Sequence, residues 1–377
     1  MVCSAKSMQT SLAKVEHLYI HVPFCATKCR YCAFYSTPDH TETMAAYVDA
    51  LAMELQPWAD RLAPKTIFFG GGTPSLLPAP LLRQLGAALQ RDLAFSDLAE
   101  WTVECNPATV SADKLAVFRA VGINRISLGV QALDDALLAA LGRIHTAEAA
   151  VATYRVIRAA GFENLNLDLM FGLPGQTLEQ WRETLVRAID LQPEHFSTYC
   201  LSYEEDTEFF KLFQAGHLQH HAERELAMYE LAIETLASAG YRQYEISNFS
   251  KPGRECQHNI AGWEGRDYLG LGPSACSTVA GRRWQNIANI DRYVEAVSGQ
   301  RSAVSFEEAV PPELHAAERA AFGMRMNRGV PGEVVRGRWD KQVGELLAAG
   351  LVEWHNGWLQ PTKRGILFAD EVAAVFV

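Results

Sequence analysis

Cys25, Cys29 and Cys32 lie within IHVPFCATKCRYCAFYS, Ile20 to Ser36, at x3 and x2 spacing. Thiolates this close together hold a soft metal. Structural zinc takes four ligands in a closed tetrahedron, so three thiols suit a centre that keeps one position open. A [4Fe–4S] cluster on three protein thiolates is such a centre, with one iron free for a small molecule. Zinc completed by Cys105 or Cys256 is a second reading, and a chance grouping of buried thiols is a third. Two residues beyond Cys32, where the series could continue, stands Phe34.

The elements that must hold this loop follow from pattern. The runs LYIHVPF, TIFFGGG, WTVECN, INRISLGV, NLNLDLMFG and HFSTYCLS read as strands, being apolar, β-branched or aromatic. Between them, and after the last, lie segments with apolar residues every three or four positions, which read as helices with one buried face. Gly122, Gly161 and Gly240 stand where helices stop. Six strand-then-helix units imply a parallel sheet with right-handed crossovers. A doubly wound sheet and an incomplete barrel both fit that alternation. Polar residues favour the barrel, because they recur at or near successive strand ends, where a barrel gathers its site. They are the three cysteines, Gly71-Gly72-Thr73, Glu104, Gln131, Arg143, Asp168 and the run LSYEE. The expected fold is α/β: a partial (β/α)6 TIM-like barrel over residues 18–240, preceded by an extension, 1–17.

Beyond Gly240 the period is lost. Residues 241–310 are rich in Gly, aromatic and polar types and read as a loop-rich extension, a strand followed by loops over a cavity. Residues 311–377 read as two helices, a hairpin turning at Asn356-Gly357 and a final helix, a C-terminal winged-helix-like α+β module. That module holds eight Lys+Arg against eight Asp+Glu, a balance that argues against DNA binding. The whole chain of 377 residues carries a net charge of -10, which disfavours non-specific nucleic-acid partners. Three of its eight cysteines fall within eight residues, unlike a disulfide framework. The first residues lack the apolar run of a signal peptide, and no stretch of ~18 apolar residues suggests a membrane span. A reducing cytoplasm is the expected compartment.

The spacing Cys25-x3-Cys29-x2-Cys32, with Tyr31 ahead of the last thiol, resembles the radical S-adenosylmethionine (SAM) superfamily. The resemblance implies a [4Fe–4S] cluster whose open iron chelates SAM. It implies an electron donor such as flavodoxin or ferredoxin, and cleavage of SAM to a 5′-deoxyadenosyl radical. The cofactor does the hard chemistry, and the protein orients it and excludes water. The SAM-contacting positions it implies are Tyr19, Tyr31, Gly71, Gly72, Thr73, Glu104, Gln131, Arg143 and Asp168. Glycines let backbone approach a ligand, carboxylates can hold ribose hydroxyls or an ammonium, and Arg can pair with a carboxylate.

YIHVPFC, FFGGGTPSLL, VECNP, RISLGVQ, NLDLMFGLPGQT and DYLGLGPSA together resemble the branch holding oxygen-independent coproporphyrinogen III oxidase (HemN) and the HemW haem chaperones. HemN continues to a fourth cysteine where this chain has Phe34, and HemW-type sequences have Phe there. His258, Asn259 and Trp263 in HNIAGW partly match a HemW haem motif, with Gly262 where tyrosine is expected. His is a common axial ligand to haem iron. Cys276 stands where similar sequences often carry His. The resemblance thus implies a chaperone that binds haem as cargo and passes it to an acceptor protein. Oxidation of coproporphyrinogen and radical modification of haem are the competing activities. His217, His220 and His221 in HLQHH read as a solvated loop or helix start rather than a metal site. Pro174-Gly175 reads as a turn, beside the site or merely joining strand to helix.

Overall fold

The computed structural model describes residues 14–38 and 41–377, so most of the 1–17 extension lies outside the described residues. Six strands appear where the apolar runs stand: β1 (Val15–Val22), β2 (Leu62–Gly71), β3 (Glu100–Cys105), β4 (Arg125–Gln131), β5 (Leu165–Phe171) and β6 (His195–Cys200). They pair in chain order and all in parallel. Eight helices connect or follow them: α1 (Thr41–Leu55), α2 (Ala79–Asp92), α3 (Ala112–Val121), α4 (Asp135–Ala140), α5 (Ala147–Ala159), α6 (Leu178–Ile189), α7 (Glu208–Gln214) and α8 (Ala222–Ser238). Gly122, Gly161 and Gly240 have φ of 98°, 86° and 87°, the left-handed geometry expected after a helix. Among the described residues β1 and β6 do not pair, so the barrel is open on that side.

Strand side chains alternate between two environments. Leu18, Ile20, Ile67, Phe69, Trp101, Val103, Ile126, Leu128, Leu165 and Leu167 belong to the main apolar core with the helices. Their neighbours on the same strands are polar, aromatic or glycine: His17-Tyr19-His21, Thr66-Phe68-Gly70, Glu100-Thr102-Glu104, Arg125-Ser127-Gly129 and Asn166-Asp168. Hydrogen bonds link these inward rows: Asn166 Nδ2 donates to Ser127 Oγ (2.7 Å) and to Asp168 Oδ1 (2.7 Å), and Asn166 Oδ1 bonds His195 Nδ1 (2.6 Å).

The extension is more structured than its sequence suggests. It supplies both neighbours of the parallel set: β7 (Asn248–Ser250) runs antiparallel to β6, and β8 (Leu269–Leu271) runs parallel to β1. It also contributes helix α9 (Gln257–Trp263) and a three-stranded sheet, Cys276–Val279, Arg282–Asn286 and Val304–Ala309. Strands of three to six residues are too short to display a period, whereas the nine-residue helix Ile290–Ser298 buries Ile290, Tyr293, Ala296 and Val297 at helical spacing, a signal the loop reading of this segment passed over.

The C-terminal segment has an apolar cluster of its own, including Ala320, Val335, Leu346 and Leu359. Its hairpin turns at Asn356 (φ 48°) and Gly357 (φ 84°), two left-handed residues as a type I′ turn requires. Val330–Pro331 pairs with the second hairpin strand to make a three-stranded wing. The expected single final helix is broken at Phe368 into Lys363–Leu367 and Ala369–Ala374.

One buried carboxylate clamps the extension to the barrel. Glu54 of α1 accepts from Gly272 N (2.9 Å), Asn286 Nδ2 (2.7 Å) and Tyr293 Oη (2.5 Å). Burial outweighs these bonds and pushes its carboxyl up to about 6. A raised carboxyl stabilises the fold below its ordinary range and loses that contribution as pH rises through about 6. Glu54→Gln does not titrate, so the stability of the parent chain relative to this variant should fall by about 1 kcal/mol between pH 5 and pH 7 in urea unfolding. Parallel pH profiles for the two proteins would count against a carboxyl raised to about 6.

Candidate functional site: a thiol loop at the barrel mouth and a histidine helix at its floor

Backbone bonds place the thiol loop on the strand ends. Cys25 N donates to Thr37 O (3.0 Å) and Thr37 N to Pro23 O (2.7 Å), closing the loop on itself. Gly72 N donates to Val22 O (2.8 Å) and Thr73 N to Phe24 O (2.8 Å), extending the β1–β2 pairing beyond the strands. Farther along, Arg30 N donates to Leu141 O (3.2 Å), and Arg30 Nη2 pairs with Glu208 (2.8 Å).

All three thiols are free and partly exposed. Cys25 Sγ lies 3.7 Å from Thr73 Oγ1, and Arg143 Nη1 donates to Cys29 Sγ (3.6 Å). Arg143 also donates to Gly129 O (3.2 Å), while its buried Nε has no partner among the described residues. Burial raises the Cys25 and Cys32 thiols above their ordinary range.

Among the described residues no three His, Cys, Asp or Glu side chains converge on a single ion. Cys105 is buried, with its Sγ directed to Val103 O, and Cys256 donates to Glu100 Oε1 (3.4 Å). Desolvation pushes both thiols up to about 12, far from thiolate. Neither Cys105 nor Cys256 is placed to complete a zinc site with the loop thiols. In a [4Fe–4S] cluster each thiolate takes a different iron, so the three need not converge on one ion.

The glycines have a different explanation from ligand approach alone. A Cβ on Gly71 (φ 105°) would lie 2.6 Å from the His21 ring, and one on Gly72 would lie 2.7 Å from Phe24 O. Gly70 is crowded by Tyr19 and Glu104. Glycine is needed here so that the chain's own groups can meet. Tyr19 sits inside the barrel rather than against the thiols, stacked on Phe68 with its hydroxyl 3.1 Å from His21 Nδ1. Tyr31 stays in the loop, half-buried near Arg143, and desolvation raises its phenol.

Gln131 is buried at φ 68°, beside a break in the β4–β5 register, a strained bulge at the strand end. Glu104 faces inward, and desolvation, then repulsion from Asp168, pushes its carboxyl up to about 8. Asp168 is also raised by burial, opposed by its bonds to Asn166 and Ser127. Buried Arg125 lies among these acids and donates to Thr102 Oγ1 (3.5 Å). Sequence reasoning missed Arg125, Asn166 and His195. The alternation of polar with apolar residues inside each β-run was the signal that could have found them.

His258, Asn259 and Trp263 are not at this mouth. Helix α9 lies across the N-terminal strand ends, the barrel floor. Glu100, the first residue of β3, accepts from Gln257 N (2.9 Å) and His258 N (3.1 Å). His258 Nδ1 bonds Thr66 Oγ1 (2.8 Å), and its ring stacks on Phe68 at 5.1 Å. Desolvation pushes the His258 imidazole down to about 3, so it is neutral at physiological pH. Trp263 packs under the Arg325 guanidinium at 4.7 Å. A Cβ on Gly262 would meet nothing within 4 Å, so open space stands where a tyrosine is expected.

The available space is also at the floor. A cavity of about 680 Å³ opens there, between strand starts, α9 and Met326–Arg328. The cleft beside Cys29, Thr73 and Arg143 holds about 10 Å³.

Three other groups stand apart. His217, His220 and His221 are surface residues, with the His220 ring tilted against Tyr203 at 4.7 Å and His221 preceding α8. Cys276 is exposed at the start of a strand. Gly175 (φ 75°) forms a turn after β5.

Comparison with known proteins now bears on this geometry. The Radical SAM superfamily matches residues 19–188. The heme chaperone HemW of Bacillus subtilis is 35% identical over 96% of this chain and 99% of its own length. That of Escherichia coli is 38% identical over 96% of this chain and 97% of its own. The chain belongs to the HemW family of the radical SAM superfamily. Among solved structures, Escherichia coli coproporphyrinogen III oxidase (HemN), a radical SAM enzyme, aligns with a TM-score of 0.83 at 25% identity, covering 97% of this chain and 90% of its own. Membership of the superfamily implies a [4Fe–4S] cluster and SAM. The three free thiols and the orphaned Arg143 Nε fit such a pair.

Two outcomes follow for this HemW-family site. Phe34 is 67% exposed, so a thiol there has no fixed place in the cluster. Phe34→Cys should leave iron content and the cluster's absorbance unchanged, whereas Cys29→Ser should abolish both. Glu104→Gln should become more stable relative to the parent as pH rises from 6 to about 8 and then level off, because the unfolded chain's carboxyl is already ionised while the buried one holds its proton up to about 8. Thermal melts across that range measure it, and a pH-independent difference would count against a carboxyl held near 8.

Proposed function

We propose that this protein binds a [4Fe–4S] cluster, SAM and haem, and transfers haem to an acceptor protein. The observation that carries this reading is the near full-length match to HemW heme chaperones, which includes the floor helix and the C-terminal module as well as the barrel. Cys25, Cys29 and Cys32 hold the cluster. Gly71, Gly72, Thr73, Glu104, Gln131, Arg143 and Asp168, with Tyr31 above and Tyr19 below, form the SAM site. Arg143 carries a buried N–H with no partner, suited to a carboxylate. Protonated Glu104 can donate to a ribose hydroxyl as well as accept. Bound there, cluster and SAM supply one-electron reductive cleavage of a sulfonium. A small electron carrier such as flavodoxin or ferredoxin supplies the electron.

Haem is handled at the floor, in the region of His258, Asn259 and Trp263. The protein works in the cytoplasm, and no helix among the described residues is long and apolar enough to cross a membrane. A second reading, oxidative decarboxylation of coproporphyrinogen, draws on the likeness to HemN. Anaerobic reconstitution separates the two. The chaperone reading expects stoichiometric haem uptake, release to an apo-haem protein, and no vinyl product from coproporphyrinogen. Failure of the reconstituted chain to take up haem would reject it, and vinyl product would establish the oxidase.

A further inference from the structure

The floor holds a second imidazole. His17 of β1 is buried, lines the 680 Å³ cavity and bonds Thr66 Oγ1 through Nδ1 (2.9 Å). The same hydroxyl bonds His258 Nδ1 (2.8 Å), and the two rings meet edge to face with centroids 6.4 Å apart.

A hydroxyl has one proton. It can donate to only one of these nitrogens, so at least one imidazole must carry its proton on Nδ1. That ring then presents an unprotonated Nε2, the state in which histidine ligates a metal while its other nitrogen is held by a second group. Burial lowers the pKa of both imidazoles, so neither is a cation at neutral pH.

Access distinguishes the rings. His258 lies under Phe68 and does not line the cavity, whereas His17 does. The volume is within the ~300–1,000 Å³ of small-molecule sites. Ile260, Ala261 and Met326 give the cavity apolar wall. Charges of both signs line it: Lys65 pairs with Glu16 (2.7 Å), Arg266 and Arg328 share Glu264, and Arg242 makes no ion pair among the described residues, nor does Glu255. Apolar wall, a neutral imidazole and a guanidinium suit a flat apolar metal complex with carboxylate arms.

We propose that His17 Nε2 is the axial ligand to haem iron in the floor cavity, and that His258 is a positioning residue acting on His17 through the Thr66 hydroxyl. This assignment rests on the haem-chaperone reading.

The test uses the full chain with its cluster reconstituted, titrated with hemin. His17→Gly should weaken haem binding at least tenfold and recover it with free imidazole. His17→Cys should move the Soret band and EPR signals to those of a thiolate ligand. His258→Gly and Thr66→Val should keep the histidine-type spectrum while weakening binding by ~10–100-fold. On the parent protein, haem should protect His17 from diethylpyrocarbonate, a measurement that needs no variant to fold. An unchanged spectrum in His17→Cys, imidazole rescue of His258→Gly alone, or no protection of His17 would overturn the assignment and leave the chaperone reading intact. No haem uptake by the parent chain would overturn both.

Discussion

The first two strands carry the site because their pairing does not stop where the strands do. Gly72 and Thr73 keep donating to Val22 and Phe24 after β1 has ended, and so pin the first turn of the thiol loop to the sheet. Cys25 to Cys32 has no regular secondary structure and little apolar burial of its own. Its shape depends on these bonds, on the Cys25–Thr37 closure and on Arg30 reaching the segment beyond α4. Any side chain on Gly71 or Gly72 would press on the groups that make the pairing. These bonds anchor the loop to the C-terminal ends of β1 and β2.

The barrel interior imposes the second constraint. Outward residues satisfy the apolar core, so inward residues are free to be polar, but each buried polar atom then needs a partner. Asn166 meets this demand by bridging Ser127, Asp168, His195 and Ser197. Arg125 balances charge where Glu104 and Asp168 would otherwise repel. The result is a lining of polar and aromatic side chains between mouth and floor, with Glu104 at one end and Glu100 at the other on the same strand.

Much of this was legible in the chain. The thiol spacing, the six strands, the helix stops at Gly122, Gly161 and Gly240, and the Asn356-Gly357 turn all rest on local rules, and local rules survive folding. The extension was not legible, because its short strands are defined by pairing with β1 and β6 rather than by a pattern of their own. Nor was the placement of His258, since only the curl of the sheet brings α9 beneath Thr66 and Phe68. His17 was overlooked because β1 begins three residues before its apolar run does. The glycine run was read as room for a ligand, whereas much of that room is already taken by His21 and the backbone near Phe24.

Strand geometry also sets a separation. Thr66 and Gly72 lie six residues apart along β2 and its extension, about 20 Å at ~3.3 Å per residue. Hydrogen-atom abstraction needs near contact. On the placements proposed above, a tetrapyrrole at the floor would lie about that far from SAM at the mouth, with the barrel's inward side chains between them. One barrel could then keep a reactive centre and a fragile cargo in the same molecule without exposing either to the other.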